Sequence, residues 1–543
     1  MRIGVFLGYG PQTSLGKEGL GRYLAGLLKG FQNRGDEVTI ACPQWLLKTL
    51  DALFKDFEID KDRIKMMETG KTPVSVWVYK WLKREKKKKK KQYLKRLGQY
   101  LADLEKKFIQ KVAKTNSLIY FGLLTLLGLL IGAAAAVPCI AASIVFLLFK
   151  IALKYGRPLV RIVKAPLVRI KRAVFDMDFL NMVCLMVEGA SNDQIQMLVN
   201  RINREQPMDV WFVPAIFWPQ VNSIHNSTVV INAPDLVSEK FPQGFAETLN
   251  ASNAIIACRK TLQEGKYFIT YCDYLRRTLL EDEYGKATDH TVAISHVNNA
   301  MDSYLYIDPA LKKRMGVEKN LPLAYAKTLL PLALQKASCC AGYASGYCME
   351  DTLYIFYASQ SRPSKNILNL VKAYEYLLRH RFIHQKLVVT CNLRSAKELR
   401  EYIANHELDN EVIGMYDLSA NVLAALYCCA DLVVNPTLYE GGFPFTFGEG
   451  MSVGTPSVMS DIPQVREVLE PEGLEDIMFD PYDWKAMADK IEWALQNKEA
   501  LYRRELPLYE KLARRTPEAV VEDYVHAFER FIELDGGKNG GNP

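Results

Sequence analysis

The strongest constraint in this 543-residue sequence is an apolar stretch at residues 117–149, SLIYFGLLTLLGLLIGAAAAVPCIAASIVFLLF, which contains no charged residue. A helix of this length would measure about 50 Å, too long for one straight crossing of a roughly 30 Å bilayer core, while two crossings need about 40 residues. Pro138 lies near the middle and disfavours helix at the residue before it, which gives the chain a place to reverse. The pattern predicts a re-entrant helical hairpin over residues 117–150.

Lysine and arginine are concentrated on both sides of this stretch. Residues 80–114 contain 15 Lys/Arg against 3 Asp/Glu, and residues 150–172 contain 8 against none. The whole chain carries only +8, so the remainder is acidic. Lysine runs can bind nucleic acid, but two basic flanks around an apolar segment are typical of a cytoplasmic membrane surface. We predict an insert, residues 72–172, that binds anionic membrane lipids and no nucleic acid; a hairpin buried in a protein core is the alternative.

The N-terminus and the cysteines indicate a compartment. The opening MRIGVFLGYG is typical of a buried first strand and lacks the basic flank and cleavage site of a signal peptide. The 11 cysteines include two adjacent pairs and no C-x-x-C, a pattern that favours a reducing compartment without a disulfide framework or structural zinc. The sequence therefore predicts a monotopic protein on the cytoplasmic face of the inner (plasma) membrane.

Short apolar runs alternate with helical patterns in two series. The first contains residues 3–7 and 37–41 and then DVWFVPAIFWP, TVVINAPD, NAIIACRK and HTVAISHV; the second contains DTLYIFYASQ, KLVVTCN, EVIGMY, ADLVVNPT and TPSVMSD. Such alternation predicts two α/β domains, each a doubly wound parallel sheet, in a chain too long for one core. Because strands of the first sheet precede and follow the insert, both ends of the hairpin are expected on one side of the membrane.

These patterns predict the domain boundaries. We expect an N-terminal Rossmann-like domain at residues 1–300 interrupted by the insert, a helical linker at 301–350, a C-terminal Rossmann-like domain at 351–505, C-terminal helices at 506–535 and a flexible tail at 536–543.

The first candidate site is the loop GYGPQTSLGKEGLGRY after the first strand. Its spacing fails the phosphate-binding P-loop, and GYGPQT lacks the third glycine of a dinucleotide fingerprint. Gly19 and Gly21 precede or open a helix, where they allow backbone N–H groups to approach an anion. Plain turn chemistry explains the glycines equally well.

Two further motifs lie in the second series. SRPSKN, residues 361–366, follows a strand and opens a helix, which places Arg362 and Lys365 where open α/β sheets bind ligands. A guanidinium and an ammonium together suit a diphosphate, although such a pair is also common at a solvated helix start. NPTLYEGGFPFTFGEGMSVGTPSVMSD, residues 435–461, places Glu440 and Glu449 around a turn rich in glycine and proline.

These segments resemble the retaining glycosyltransferases of family 4. Their GT-B fold has two facing Rossmann-like domains with a nucleotide sugar in the cleft. EGGFPF is a bacterial variant of the family signature E-x7-E, with eight residues between Glu440 and Glu449. SRPSKN is similar to the diphosphate-binding turn, EGLGRYLAGLLKGFQNRGDEVTI to the N-terminal loop and helix, and APDLVSEKFP to the acceptor side of the cleft.

The resemblance implies a role for each position. It assigns the donor diphosphate to Arg362 and Lys365, the ribose hydroxyls to Glu449 and the transferred sugar to Glu440. The remaining donor contacts that it implies are Gly19, Gly21, Gly441, Gly442 and Phe443. Many members carry His-Asp on the acceptor side, where this chain has Pro234-Asp235, so Asp235 keeps the catalytic acid and the histidine is missing.

The resemblance also implies an activity. It predicts a retaining, metal-independent hexosyltransferase without a cofactor, which moves sugar from a nucleotide-diphosphate donor to a lipid-linked acceptor in cell-surface polysaccharide or glycolipid synthesis. The DMD motif at residues 176–178 lies far from the donor motifs, and His380 and His384 lack an accompanying glutamate, so no metal ligands are expected. The alternatives are an inactive membrane scaffold or regulatory subunit of a polysaccharide assembly system, and a nucleotide-sugar epimerase, which would not need a lipid anchor.

Overall fold

The structure, a computed structural model, describes residues 1–11, 13, 15, 19–77, 79–80, 179–241, 251–305, 320–336 and 348–539. The chain divides into two compact units, one formed by Met1–Gly70 with Ile195–Pro543 and the other by Lys71–Gln194. The predicted hairpin and the DMD motif lie outside the described residues. Of the helices that the structure describes, none has the length and apolar character needed to cross a membrane.

Seven strands of the larger unit form one parallel sheet. They are β1 (Arg2–Phe6), β2 (Glu37–Cys42), β3 (Ile64–Glu68), β4 (Val210–Val213), β5 (Thr228–Asn232), β6 (Tyr267–Thr270) and β7 (Thr291–Ala293). Their order is β3-β2-β1-β4-β5-β6-β7, with Val5 of β1 opposite Ile40 on one side and Phe212 on the other. Both faces of this sheet are covered, which explains why its strands are nearly continuous apolar runs.

Six strands form the second parallel sheet. They are β8 (Tyr354–Tyr357), β9 (Lys386–Val389), β10 (Val412–Gly414), β11 (Leu432–Asn435), β12 (Ser457–Ser460) and β13 (Met478–Phe479), in the order β10-β9-β8-β11-β12-β13. Alternate residues of β8 enter different cores: Ile355 and Tyr357 pack on one face, and Tyr354 and Phe356 on the other. The prediction of two Rossmann-like parallel sheets is confirmed.

Helices cover these sheets. The described α-helices are α1 (Gly19–Arg34), α2 (Leu47–Asp56), α3 (Phe179–Ile202), α4 (Val237–Lys240), α5 (Ala251–Glu264), α6 (Asp273–Leu275), α7 (Asn320–Leu334), α8 (Ile367–Tyr376), α9 (Lys397–Asn405), α10 (Ala420–Cys429), α11 (Phe445–Ser452), α12 (Pro463–Leu469), α13 (Trp484–Gln496), α14 (Lys498–Ala513) and α15 (Pro517–Asn539).

The prediction that the run NAIIACRK forms a strand is wrong. It lies within α5, and the strand of this region is β6, which follows the helix. The apolar residues in and just after the run do not share one environment, since Ile256 is 63% exposed while Cys258 and Leu262 are buried. Cys258 and Leu262 are four residues apart, so burial follows the period of a helix.

The two sheets share a feature that positions the site. In the first sheet the strand order runs outward in opposite directions from β1 and β4, and in the second from β8 and β11. Open parallel sheets bind ligands beyond the carboxyl ends of their strands at such a reversal. The segments that follow β1, β8 and β11, each a loop together with the start of the next helix, contain the predicted site residues, apart from Asp235, which follows β5.

The last helix returns to the first sheet. Phe528 of α15 has its ring centroid 6.2 Å from that of Phe31 and 5.8 Å from that of Phe212. Farther along α15, Asp535 accepts a hydrogen bond from the Thr228 hydroxyl at 2.9 Å. Residues from the end of the chain therefore complete the core of the N-terminal domain.

Glu505 of α14 is fully buried beside the first residue of β12. Its carboxylate accepts a hydrogen bond from the Ser457 backbone N–H at 3.1 Å. Burial raises the pKa of Glu505 well above its ordinary value, and the Ser457 hydrogen bond opposes this only in part. The folded protein therefore favours the protonated form of this side chain.

We expect Glu505→Gln to flatten the pH dependence of stability. Because the folded-state pKa is raised, the favourable contribution of the protonated carboxyl is complete below its unfolded pKa of about 4.3 and is lost as the pH rises through the folded pKa. Urea unfolding at pH 5 and pH 8 should show a smaller fall in the free energy of unfolding for the variant than for the wild type. The exposed Glu510→Gln on the same helix is the control. Equal pH slopes in all three proteins would contradict the assignment.

Candidate active site

A cleft of about 590 Å³ lies between the two sheet domains of the larger unit. Its lining includes eight of the ten site residues predicted from the sequence: Asp235, Arg362, Lys365, Glu440, Gly441, Gly442, Phe443 and Glu449. Tyr23, Tyr271 and His296 line it from the N-terminal domain. Residues far apart in the chain therefore meet where the strand order of both sheets reverses.

The two remaining predicted residues lie in the first turn of α1. Gly19 is the first residue of that helix, and neither Gly19 nor Gly21 is among the residues that line the cleft. A Cβ at Gly21 would be 1.8 Å from the carbonyl oxygen of Leu15, so the backbone of Leu15 packs closely against the start of the helix. This contact gives Gly21 a local packing role, the turn chemistry that the sequence left open.

The turn that carries Arg362 and Lys365 is fixed by Asn366. This residue is buried and has a φ of 56°, in the left-handed region. Its Nδ2 donates to the carbonyl oxygens of Pro436 at 2.9 Å and Pro481 at 2.7 Å. Next to it, the carbonyl oxygen of Ser364 accepts from the Leu438 N–H at 2.8 Å. The turn after β8 is therefore attached to the loop after β11, which brings the cations to the glutamates.

We expect Asn366→Ala to lower the free energy of unfolding by about 2–4 kcal/mol. The variant leaves two buried carbonyls without their donor, and alanine tolerates the left-handed region less well than asparagine does, each at a cost of about 1–2 kcal/mol. Urea denaturation at pH 7 measures the loss. Asn366→Gly removes the hydrogen bonds without the backbone cost and should fall between alanine and wild type. A glycine variant less stable than the alanine variant would contradict this account.

Lys365 and Arg362 occupy different environments. The Lys365 Nζ donates to Glu440 Oε1 in a partly buried ion pair. Arg362 is exposed at the start of the turn, and within the described ranges its guanidinium has no ion-pair partner. An ammonium has three N–H donors, so Lys365 can keep Glu440 while it contacts an anion. The pair therefore offers one pre-positioned cation and one open guanidinium fork.

Asp235 approaches the same place from the N-terminal domain. Its Oδ1 accepts a hydrogen bond from the Val237 N–H at 3.0 Å. Burial raises the pKa of Asp235, and the negative charge of Glu440 raises it further, while the Val237 N–H and the two cations oppose the shift. An acid from each domain thus faces the cleft, beside the same two cations.

Gly441 and Gly442 lie where the two domains touch. A Cβ at Gly441 would be 2.3 Å from the carbonyl oxygen of Pro234, and one at Gly442 would be 3.1 Å from the Cβ of Tyr271. The side chain of Phe443 turns to the C-terminal core, with its ring centroid 5.4 Å from that of Phe447. The two glycines therefore permit close contact between the domains at the floor of the cleft.

Glu449 is held by two residues that the sequence did not indicate. Only 9% of Glu449 is exposed. Its Oε1 accepts from the Asn299 Nδ2 at 2.5 Å, and its Oε2 accepts from the Tyr427 hydroxyl. Asn299 comes from the segment after β7 and Tyr427 from α10, so neither neighbour could be found from local sequence.

A histidine does reach the cleft, although not at position 234. The ring centroid of His296 lies 3.7 Å from Tyr271, 5.0 Å from Tyr23 and 5.1 Å from Phe445. Burial lowers the pKa of His296 to about 4, so the ring is neutral near pH 7. The uncharged imidazole can therefore form hydrogen bonds in the cleft. The sequence feature that could indicate His296 is its position just after an apolar strand.

Throughout the described part of the chain, no group of three or more His, Cys, Asp or Glu side chains is arranged to hold a metal ion. His380 lies outside the cleft, with its ring centroid 4.9 Å from that of Tyr376.

The fold and the cleft define a class of protein, and comparison with known families agrees. Residues 349–515, which include the second sheet and all the cleft residues that it contributes, match the family described as glycosyl transferases group 1. The C-terminal domain is therefore a group 1 glycosyltransferase domain.

One curated protein is similar over part of the chain. Across 149 residues the sequence is 30% identical to the O-antigen chain mannosyltransferase RfbU of Salmonella typhimurium. The matched region makes up 26% of the present chain. It spans 38% of the length of that curated relative.

Solved structures share the fold over nearly the whole chain. HepE from Anabaena, in complex with UDP and glucose, superposes with a TM-score of 0.52 at 12% identity over 97% of this chain and 99% of that chain. Sucrose-phosphate synthase from Thermosynechococcus elongatus gives a TM-score of 0.50 at 10% identity, with 98% and 100% covered. At such identities the likeness concerns the fold alone.

Proposed function

We propose that this protein is a retaining glycosyltransferase of family 4 that moves a hexose from a nucleotide-diphosphate donor to a lipid-linked acceptor. The observation that carries the proposal is the meeting of Arg362, Lys365 and Glu449 in one interdomain cleft, in a group 1 glycosyltransferase domain. Two cations suit a diphosphate, and a buried carboxylate suits a pair of ribose hydroxyls.

The proposed chemistry follows from where charge develops. Departure of the diphosphate leaves negative charge on its oxygens and positive charge on the sugar ring. Arg362 and Lys365 would stabilise the leaving group, and this electrostatic contribution is usually the largest in catalysis. Glu440 and Asp235 would bind the sugar. Retention is assigned to a front-face reaction in which the leaving phosphate accepts the proton of the acceptor hydroxyl, so no protein nucleophile is required.

The acceptor and the location belong to the same proposal. The insert lies between β3 and β4 in the sequence, so it interrupts the N-terminal, acceptor-side domain. A monotopic anchor on the cytoplasmic face of the inner membrane would bring that domain to a lipid-linked substrate. The name of the Salmonella relative supports polysaccharide synthesis as the process and a mannosyl donor as the first to test.

A donor screen tests the proposal. The full chain in nanodiscs would be mixed with UDP-, GDP- and dTDP-sugars, and its melting temperature recorded. A ligand that binds only the folded state raises the free energy of unfolding by about 2.7 kcal/mol when its concentration is 100 times its Kd. We expect one nucleotide class to raise the melting temperature of the protein. In a separate transfer assay with that donor, NMR of the product should show that the anomeric configuration is retained. Stabilisation by none of the three classes would favour the inactive scaffold.

We expect transfer to survive removal of divalent metal. Arg362 and Lys365 supply the positive charge that a metal would otherwise bring to the diphosphate. Initial rates would be compared with and without EDTA, and Asp176→Ala should leave them unchanged. Loss of transfer in EDTA with recovery on added Mn²⁺ would instead assign a metal to the reaction.

A further inference from the structure

His296 is a polar side chain enclosed by aromatic rings from both sheet domains. The rings of Tyr271, just after β6, and Tyr23, on α1, contact its imidazole from the N-terminal domain. The ring of Phe445, the first residue of α11, contacts it from the C-terminal domain. His296 also lines the cleft. The imidazole is therefore held in one place at the junction of the two domains, beside the space that a ligand would fill.

The ring nitrogens of His296 are not used by the protein itself. Within the residues that the structure describes, neither nitrogen makes a hydrogen bond, and Nδ1 is buried. The hydroxyls of its neighbours have other partners. That of Tyr23 donates to the Tyr524 hydroxyl at 2.8 Å. That of Tyr271 accepts from the Asn232 Nδ2 at 2.6 Å. A buried polar group without a partner destabilises the fold, and a phenylalanine would fill this space without that cost.

The position of His296 along the cleft indicates what it would contact. Its neighbour Phe445 lies about midway in the sequence between Glu440 and Glu449. Under the proposed function, Glu440 binds the transferred sugar and Glu449 binds the ribose. The diphosphate joins these two parts of the donor, so it has to pass the segment that His296 contacts. Phosphate oxygens accept hydrogen bonds, and an imidazole has a ring N–H to donate.

We propose that His296 binds the donor diphosphate by donating a ring N–H to a phosphate oxygen. The inference rests on the proposed function, because it takes Glu440 and Glu449 as the sugar and ribose ends of the donor. It adds a contact from the N-terminal domain to those of Arg362 and Lys365, which both belong to the C-terminal domain. The diphosphate is then bound by both domains.

The test determines which part of the donor loses affinity when the ring nitrogens are removed. His296→Phe keeps an aromatic ring among the same neighbours and deletes both nitrogens. Three ligand series would be compared on the full chain in nanodiscs: uridine, UDP and UDP-glucose; guanosine, GDP and GDP-mannose; and thymidine, dTDP and dTDP-glucose. Isothermal titration calorimetry gives the Kd of the diphosphates and diphosphate sugars, and ligand-observed NMR gives that of the nucleosides.

For the base that binds, we expect the variant to weaken the diphosphate and the diphosphate sugar by the same factor. That factor should be roughly tenfold or more, the worth of one hydrogen bond to a charged group. The nucleoside has no phosphate and should keep its wild-type Kd. Without ligand, the melting temperature of the variant should equal or exceed that of the wild type, because the change removes a buried nitrogen without a partner. A lower melting temperature with no selective loss of affinity would show a purely structural role.

The controls separate this inference from the proposed function. His225→Phe changes an exposed histidine outside the cleft and should leave every Kd unchanged. His296→Ala should show the same pattern of losses, and it serves as a second variant if the phenylalanine variant does not fold. A loss confined to the diphosphate sugar, a loss shared by the nucleoside, or unchanged Kd values throughout would each overturn the diphosphate contact. If none of the ligands binds the wild type, the proposed function fails instead.

Discussion

Alanine at Lys365 or at Arg362 is expected to slow sugar transfer by about 10²–10³-fold, or roughly 2.7–4 kcal/mol of transition-state stabilisation. Under the proposed function, each cation would face the position where the departing diphosphate gains charge. Water that replaced the cation would have to reorganise during the reaction, whereas the side chain is already fixed in place. The loss should appear mainly in kcat if each cation contacts the diphosphate more strongly in the transition state than in the bound donor. Initial rates at saturating and limiting donor measure both parameters.

The two variants should differ in stability, which separates catalysis from folding. Lys365→Ala leaves the partly buried Glu440 without its ion pair, whereas Arg362→Ala removes an exposed side chain. We therefore expect a lower melting temperature for the first and an unchanged one for the second. Lys372→Ala on α8 and Arg400→Ala on α9 are matched controls for the same changes in charge. Turnover near that of the wild type in both cleft variants would end the donor assignment.

Replacing residues 117–150 with a short Gly/Ser linker is expected to abolish salt-resistant membrane binding and transfer to long-chain lipid acceptors. An apolar hairpin buried in lipid contributes about 25 cal/mol per Å² and is insensitive to salt. The basic flanks add about 1 kcal/mol per Lys/Arg near the surface, and salt screens that contribution. Flotation with anionic vesicles at 0.1 M and 1 M NaCl measures the difference. Only the wild type should remain bound at 1 M.

The linker variant carries its own control, because its cleft is unchanged. Nucleotide binding and transfer to a short, water-soluble acceptor should stay at wild-type levels, while transfer to the long-chain acceptor falls. Wild-type transfer to both acceptors would show that the insert does not serve the acceptor. A cysteine placed at Gly132 should resist a membrane-impermeant reagent added outside intact cells, and labelling there would indicate a hairpin that crosses the bilayer.

Much of the fold could be predicted because central strands of parallel sheets have a simple signature. YIFY in β8 and LVVN in β11 are short, continuous and bounded by polar residues, so each could be assigned from its own sequence. NAIIACRK has a similar composition and is nevertheless helical. A short apolar run does not distinguish a strand from a half-buried helix, and the choice depends on neighbours that the local sequence does not contain.

The site residues also differ in whether the local sequence could identify them. Arg362 and Lys365 were predictable because a strand, a turn and a helix start follow one another in SRPSKN. The partners of Glu449 were not, since Asn299 is 150 positions away and Tyr427 is 22 away, and only folding brings them to the carboxylate. Asn366 is an intermediate case. Its side chain tolerates left-handed backbone, but its two carbonyl partners belong to other loops.

The return of α15 to the first sheet has a consequence for synthesis on the ribosome. Phe31 and Phe212 are fully buried in the finished protein, yet they pack against Phe528. More than 200 residues separate the end of β7 from α15, which at 5–20 residues per second is an interval of about 10–50 s. During that time the part of the chain translated first has an apolar surface without its cover. Nascent chains arrested before residue 517 should therefore bind chaperones, and release of α15 from the exit tunnel should end that binding.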